Sequence, residues 1–472
     1  MYRSGRGGRS VVLAVCCLSV LLVSLDSTVL NVALPSVGRD LGSSVSGLQW
    51  TLDAYTIVLA SLLTAAGATA DRVGRRRVFQ LGLVLFTTAS ALCSVAPGTG
   101  WLVSFRMLQA VGGSMLTPVA MAILANTFPQ PAERARAIGV WGGVVGVSMA
   151  AGPVLGGVLV QWVGWRSVFW LNVPIGIVAL VLTALFVPES RAAHPRRADP
   201  VGQSLVVVVL GALVYAIIEA PEAGWTSPLV VGCLIAAAGA LAALVPYETR
   251  RPEPLVDPRL FRAPSFSGAT LTAVFAFAAL GGFLFANALY LQGVLGLSPL
   301  AAGVRLLPMA VPALLCPPLS GRMVGSRGPR VPLLLAGAGM SASGALAVFT
   351  TASAHPSYLQ LAITYALFGV GFGFVNAPVT DTAVSGLPRA QAGVAAALAA
   401  TSRQVGSALG VAVIGAAVAD GSRASAWWIV TGCGLAVLAL SGVTAGRRTA
   451  REASGPVDRH DGERPRLAAE SG

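Results

Sequence analysis

The chain has no lysine; all 32 of its basic residues are arginine. Charge of either sign is scarce, at 11% of residues, where soluble globular domains carry roughly a quarter. A surface so short of charge cannot face water over most of its area. That excludes an ordinary soluble enzyme or binding module. Histidine is rarer still. His194, His355 and His460 lie outside the apolar runs and share no ligand spacing. We therefore expect no metal centre and no His-based catalysis. The sequence has no G-x-S-x-G elbow and no G-x-x-x-x-G-K-[ST] phosphate loop, which argues against serine hydrolysis and direct use of ATP. The six cysteines (Cys16, Cys17, Cys93, Cys233, Cys316 and Cys433) all fall inside apolar stretches. They show neither zinc spacing nor a secreted disulfide framework, and read as small packing residues.

Apolar sequence is abundant: 55% of the residues are hydrophobic, and the mean hydropathy is +0.75. A helix needs about 20 mostly apolar residues to cross a bilayer core. That ruler places spans near 11–33, 47–70, 78–96, 101–124, 136–160, 167–187, 201–220, 228–247, 267–291, 301–324, 331–351, 358–381, 391–419 and 425–446. The seventh and eighth are interrupted at or near their ends by Glu219, Pro221 and Pro246. The first run follows Arg3, Arg6 and Arg9, as a signal peptide would. It continues through Asp26 to Ala33 without a small-residue cleavage site, and reads as a retained helix. Barrel strands alternate apolar and polar residues; these runs do not. The fold class is all-α, a polytopic membrane protein of fourteen helices. Its 55 glycines suit close helix packing in lipid.

Arginine placement tests the count. With a cytoplasmic N-terminus, 26 of the 32 arginines fall in inner segments. Only Arg39, Arg166 and Arg423 fall in outer ones, and Arg106, Arg305 and Arg403 lie within spans. This is the positive-inside pattern for an even number of helices with both termini inside. It accounts for the net charge of +13 without nucleic acid: the charge sets topology and meets anionic lipid. A Gly/Arg-rich segment closes the second span (67–76), and a related one closes the tenth (321–330). Asn31 and Asn287 occupy similar places in the first and ninth spans. We expect two pseudo-symmetric six-helix bundles, 1–190 and 263–446, with two inserted helices and their loops at 191–262 and a disordered cytoplasmic tail at 447–472.

Polar residues inside the spans mark the interior. Gln49, Asp53, Thr56, Thr64, Gly67 and Asp71 fall on one face of the second helix, a face that cannot look at lipid. At 1.5 Å per residue, Asp26 lies roughly 12 Å, Asp53 roughly 9 Å and Arg106 roughly 8 Å from the outer ends of their spans. Two acids and one base at a shared depth cannot all be balanced. Burial disfavours an ionised carboxylate and a neighbouring acid disfavours it further, while Arg106 opposes both. We expect one acid to carry a proton. The bland alternative is a static Asp–Arg pair with the other acid solvated. Gln49, Thr56 and Thr64 serve equally well as interhelical glue. Arg305 and Arg403 have no acid at matching depth in the last six spans. Their partners are backbone carbonyls, a first-half residue or substrate. We count Gln49, Trp50, Thr56, Gln109, Asn287, Arg305 and Arg403 as candidate cavity residues.

The fifth span carries Gly142, Gly146, Gly152, Pro153, Gly156 and Gly157. Small residues permit close approach, and the proline bends the helix. Asp71 stands among Arg72, Arg75 and Arg76 at the inner mouth. Paired with an arginine or a helix N-terminus in one state and released in another, it would act as a latch.

At these residues the chain resembles the major facilitator superfamily, in particular its fourteen-span drug:proton antiporters. The segment from Leu25-Asp26-Ser27-Thr28 to Pro35 is similar to their first-helix motif. Gly67, Asp71, Arg72, Gly74, Arg75 and Arg76 match the G-x-x-x-D-R-x-G-R-R loop. Arg106, Gln109, Gly112 and Gly113 resemble the fourth-helix motif, and Gly146 to Gly157 resemble the fifth-helix antiporter motif. Trp165, Arg166, Asn172, Pro174 and Gly176 also fit. The second-half loop departs from the pattern, with Gly325 where an acid would stand. The resemblance implies alternating access and outward drug export against inward protons. It implies proton or cationic-drug binding at Asp26 and Asp53, help from Arg106, and a latch at Asp71. The expected partners are an amphipathic small molecule, protons and membrane lipid, with no cofactor and no metal. The expected form is a monomer in the cell membrane. Competing readings are proton-coupled transport of a metabolite or siderophore, and a membrane enzyme or sensor. The missing catalytic and phosphate motifs speak against the last of these.

Overall fold

The computed structural model describes residues 6–192, 199–353, 356–384 and 392–445. The expected tail and the arginines at 196, 197, 389 and beyond 446 lie outside them, as do His194, His355 and His460. The described residues form α1 (Arg6–Leu41), α2 (Val45–Val73), α3 (Arg75–Ser94), α4 (Thr99–Thr127), α5 (Pro131–Trp162), α6 (Ser167–Trp170), α7 (Asn172–Phe186), α8 (Pro200–Ala223) and α9 (Pro228–Thr249). There follow α10 (Pro264–Leu289), α11 (Pro299–Arg305), α12 (Leu307–Arg327), α13 (Arg330–Ala352), α14 (Tyr358–Gly373), α15 (Asn376–Val384), α16 (Ala392–Ala419) and α17 (Arg423–Ala445). Among the described residues, thirteen helices are long and apolar enough to span a membrane. The pair α11–α12, bent by 40°, brings the number to fourteen. Helices α6 and α7 together make the sixth span, and α14 and α15 the twelfth.

The boundaries follow local chemistry. Ser44, Ser227, Ser298 and Ser357 each accept a hydrogen bond from the first turn of the helix they precede, satisfying an orphan N–H. Proline opens α5, α8, α9, α10 and α11, where its missing N–H costs nothing. One boundary differs from expectation. The first helix does not stop at Ala33 but runs through Pro35 to Leu41. A proline removes one ladder bond, and Leu34 and Val37, both fully buried, hold the turn in place. The added length carries Asp40 to Trp165 Nε1 at 2.8 Å and Arg166 Nη1 at 2.5 Å.

Two bundles result. One core joins α1 to α7 through Tyr55, Phe79, Leu83 and Phe86. The other joins α10 to α17 around Phe283, which stacks on Phe368 at 4.0 Å and meets Tyr365 and Trp427 edge-on. Helices α8 and α9 pack on each other, and α8 also rests on both α2 and α16. Its tie to α2 is polar at two levels. Trp50 Nε1 donates to Glu219 Oε1 at 2.7 Å, and Gln203 donates to the Ser61 carbonyl. Its tie to α16 is apolar, with Val214 and Ile218 against Ala408 and Ala412. Helix α9 turns Ile235, Leu241 and Val245 outward, as a lipid-facing helix must.

The bundles meet along α2–α16 and α5–α11–α12. Hydrogen bonds join them toward the arginine-poor end. Gln49 Nε2 donates to the carbonyls of Val411 and Ala412 at 3.1 and 2.9 Å. Gln292 Nε2 donates to Val32 O at 2.9 Å, and Leu300 N donates to Gln161 Oε1 at 3.3 Å. Two α5 glycines, Gly146 and Gly157, serve this seam, and two others, Gly152 and Gly156, pack on α1 within the first bundle. A Cβ at Gly156 would meet Val29 O at 2.9 Å, and one at Gly157 would meet Leu300 Cα at 2.7 Å. Gly152 faces Thr28 and Gly146 faces Leu314. Gly142 is the exception. It is exposed, with open space where its Cβ would be, so the packing expected of it is absent. Helix α5 stays continuous through Pro153, and Gly303 of α11 packs against the Pro153 backbone.

Candidate functional site

Where the bundles face each other, a cavity of about 200 Å3 opens at mid-depth. Its walls come from α1, α2, α4, α5, α10 and α16, with Ser24, Ser27, Thr28, Asn31, Thr56, Gln404 and Ser407 among apolar side chains that include Tyr55, Met149 and Phe277. A small apolar chamber adjoins it, sharing Thr28, Asn31, Met149 and Leu284.

Behind the first-bundle wall sits a closed polar network. Asp26 is ion-paired through Oδ2 with Arg106 Nη1. Asp26 Oδ1 accepts from Gln109 Nε2 at 2.9 Å and from Asn172 Nδ2 at 2.8 Å. Arg106 donates further to Gln109 Oε1 at 2.7 Å and to Thr51 O at 3.2 Å. Its guanidinium lies 4.1 Å from the centre of the Tyr55 ring. Gln109 also donates to Ser90 Oγ at 2.7 Å. Four helices thus supply a carboxylate with three donors and a cation with three acceptors and an aromatic face. A buried ion pair is tolerable when it is satisfied in this way.

Asp53 does not join that network. The shared depth of Asp26, Asp53 and Arg106 suggested one cluster; the structure separates them. Asp53 and Tyr55 are two residues apart on α2, so their side chains diverge by about 200° around the helix axis. Tyr55 faces Arg106, and Asp53 faces away. Gln49, one turn before Asp53, bonds to α16, and Ile57, one turn after, packs on Ala408 and Ala412 of α16. Asp53 therefore lies on the α16 side of the helix. It is 0% exposed, and neither carboxyl oxygen has a hydrogen-bond partner among the described residues. An ionised carboxylate there would be a buried charge with neither donor nor counter-ion, which is expensive. A proton removes that charge.

Of the other residues expected in the cavity, Thr56 reaches it. Gln49 is held by the α16 backbone, Trp50 by Glu219 and the Tyr215 ring, and Gln109 by the Asp26 network. Asn287 is fully buried and accepts from Tyr365 Oη at 2.5 Å. Arg305 lies with its guanidinium 5.8 Å from the Tyr358 ring, toward the arginine-poor end. Arg403 is half-buried on α16 beside the cavity residue Gln404 and forms no ion pair among the described residues. These six lie behind the cavity wall or away from it, because their polar groups are engaged elsewhere or turned off its face.

At the arginine-rich mouth, Asp71 Oδ1 accepts from Arg75 Nε and Nη2 at 3.1 and 2.9 Å. Glu189, missed in the sequence, completes this corner. Its Oε1 accepts from Arg76 N at 3.1 Å, its Oε2 lies 3.7 Å from Arg77 Nε, and its carboxylate fills the space where a Cβ on Gly74 would stand. Gly74 has φ +129°, a conformation that favours glycine. Gly67 lies against Pro118, and Arg72 is exposed. Ser90 was also missed. Asn172 was recognised only as part of a motif. Neither carries a sequence signal beyond being polar within an apolar run.

Comparison with known proteins agrees with this architecture. Residues 16–411 match the family model of the Major Facilitator Superfamily. The chain is 37% identical over 402 residues to the multidrug resistance protein Stp of Mycobacterium tuberculosis, covering 85% of this chain and 74% of that one. It is 38% identical over 422 residues to the tetracenomycin C resistance and export protein of Streptomyces glaucescens, covering 88% and 77%. Among solved structures, a point mutant of the peptide transporter POT superposes with a TM-score of 0.67 at 16% identity, over 93% of this chain and 94% of that one.

Proposed function

The chain belongs to the Major Facilitator Superfamily, and from that premise we propose that it exports a drug or antibiotic in exchange for protons. Relatives identical at more than a third of the aligned residues are named for multidrug resistance and for tetracenomycin C resistance and export, which supports the substrate class and the direction. The observation that carries the coupling is Asp53, fully buried and without a hydrogen-bond partner among the described residues, at the seam between the bundles. With the arginine-rich end and both termini cytoplasmic, the halves meet on the outer side and the cavity serves the inner one. Parting α2 from α16 would wet Asp53 from outside, where it would take up a proton; exchange requires that the inward-open arrangement then give that proton to the cytoplasmic side. Closing the seam again favours the neutral form. Proton loading would then be tied to the opening that releases substrate. Asp26 and Arg106 act in this reading as the rigid, charge-balanced wall beside the cavity. Asp71, Arg75 and Glu189 hold the α2–α3 turn as a latch. The working unit is one chain in the cell membrane, two six-helix bundles (1–190 and 263–446) with 191–262 inserted.

The test is substrate-driven proton release from proteoliposomes holding the purified chain. Asp53→Asn should bind substrate yet release no protons above empty liposomes. Release with an unchanged pH dependence would sink the assignment of the proton to Asp53.

A further inference from the structure

The cavity wall has a chemical bias. Three of its hydroxyls, all on α1 and α2, are already spent as donors: Ser27 Oγ on Val23 O at 3.1 Å, Thr28 Oγ1 on Ser24 O at 3.0 Å, and Thr56 Oγ1 on Leu52 O at 3.0 Å. Asn31 spends one of its two amide N–H groups on Ser27 O at 2.8 Å. Each of these groups has donated into its own helix. Along this α1–α2 edge the three hydroxyls offer a ligand their oxygens, which are acceptors. Charge is missing from the same wall. Among the described residues no carboxylate lines it. Asp26 is sealed behind it with both oxygens occupied, and Asp53 is fully buried. Among the described residues the one charged group at the wall is Arg106, and Asp26 cancels it. A cation entering here would shed its water, find no counter-charge and meet a guanidinium. The rest of the lining is Ser24, Gln404 and Ser407 among apolar side chains that include Phe277 and the Tyr55 ring.

We propose that the exported molecule is carried in an uncharged form: an aromatic or alicyclic amphiphile with hydroxyl or N–H donors along one edge. The proposal rests on the export reading above and narrows it. It has a consequence for the energetics. An uncharged substrate leaving against one entering proton moves one net charge inward per cycle, so the membrane potential drives the exchange. A monovalent cation leaving against one proton would move none.

Two measurements on the full chain decide the matter. The first is binding to the purified protein in lipid nanodiscs at pH 6.5. Its probes are daidzein (an uncharged dihydroxy-isoflavone), daidzein dimethyl ether and tetraphenylphosphonium. Daidzein should bind about tenfold more tightly than the ether, the worth of roughly one good hydrogen bond, and tetraphenylphosphonium should not displace it. Thr56→Val should weaken daidzein and leave the ether unchanged, so the ether reports on folding. Equal affinities for daidzein and the ether, or displacement by the cation, overturn the proposal. The second measurement is substrate-driven proton flux in proteoliposomes with a potassium–valinomycin potential and no pH gradient. Acceleration by the potential supports an uncharged cargo. Proton flux that ignores the potential overturns it while leaving antiport standing. If no proton flux appears at all, the antiport reading fails, and the binding order still decides the chemistry of the cargo.

Discussion

Asp26 and Asp53 are both carboxylates sealed inside one bundle, and their surroundings are opposite. Asp26 has a cation and two amide donors around it. Asp53 has nothing but packing among the described residues. Asp26 is held by contacts within its own bundle, so rocking the bundles leaves its partners in place. Asp53 faces the other bundle, and in the proposed cycle its environment would be remade as the seam opened. Depth in the membrane does not distinguish an acid that titrates during a cycle from one that braces a wall. The partner set does.

The largest expected effect breaks this contrast from the Asp53 side. Asp53→Asn should abolish drug-driven proton release and flatten the pH dependence of transport, with substrate binding retained in a direct binding assay. Next comes the Asp26 side. Asp26→Asn strands Arg106 as a buried, unbalanced charge, at a cost of about 3–5 kcal/mol, read as a lower unfolding midpoint in detergent. Asp26→Asn combined with Arg106→Gln should recover much of that stability, whereas adding Arg106→Gln to Asp53→Asn should only destabilise further. Gly157→Ala probes the other line along which the bundles meet, α5 against α11. Its methyl meets the Leu300 backbone, and overpacking of this kind costs about 1–3 kcal/mol, so turnover should fall while equilibrium binding holds. Glu189→Gln should cost about 1 kcal/mol by weakening the cap on α3, seen as faster proteolysis of the α2–α3 turn. Gly142→Ala, which touches nothing, should lie within about 0.5 kcal/mol of the parent.

Much of this was legible in the sequence. Hydropathy located every span because a membrane helix must satisfy its backbone internally and present apolar side chains. The arginines separated the two ends because charge crosses the bilayer poorly. Matched depth brought Asp26, Asp53 and Arg106 into one group without saying which acid pairs with the arginine; the structure gives Arg106 to Asp26. Azimuth was hidden. Which way Asp53 points depends on where α16 sits, and no local pattern in α2 encodes that. Ser90 was overlooked, and Asn172 was named only within a motif without its role, because an asparagine or serine gains its role only from the helix opposite. Glu189 sits in a loop, and its value comes from a positive-φ glycine more than a hundred residues earlier in the chain. The end of α1 was misplaced because Pro35 is a stop signal locally and a tolerated kink once Leu34 and Val37 are buried.

The inserted pair α8–α9 remains. Helix α8 is stitched to α2 by Trp50–Glu219 and by Gln203 on the Ser61 carbonyl, and it meets α16 only through alanine and branched aliphatic surfaces. Such a joint is stiff on one side and low-friction on the other. Any motion that parts α2 from α16 must carry α8 along as ballast of the first bundle and shear it across Ala408 and Ala412. Like a sliding gasket, it would then keep acyl chains out of the gap beside Asp53.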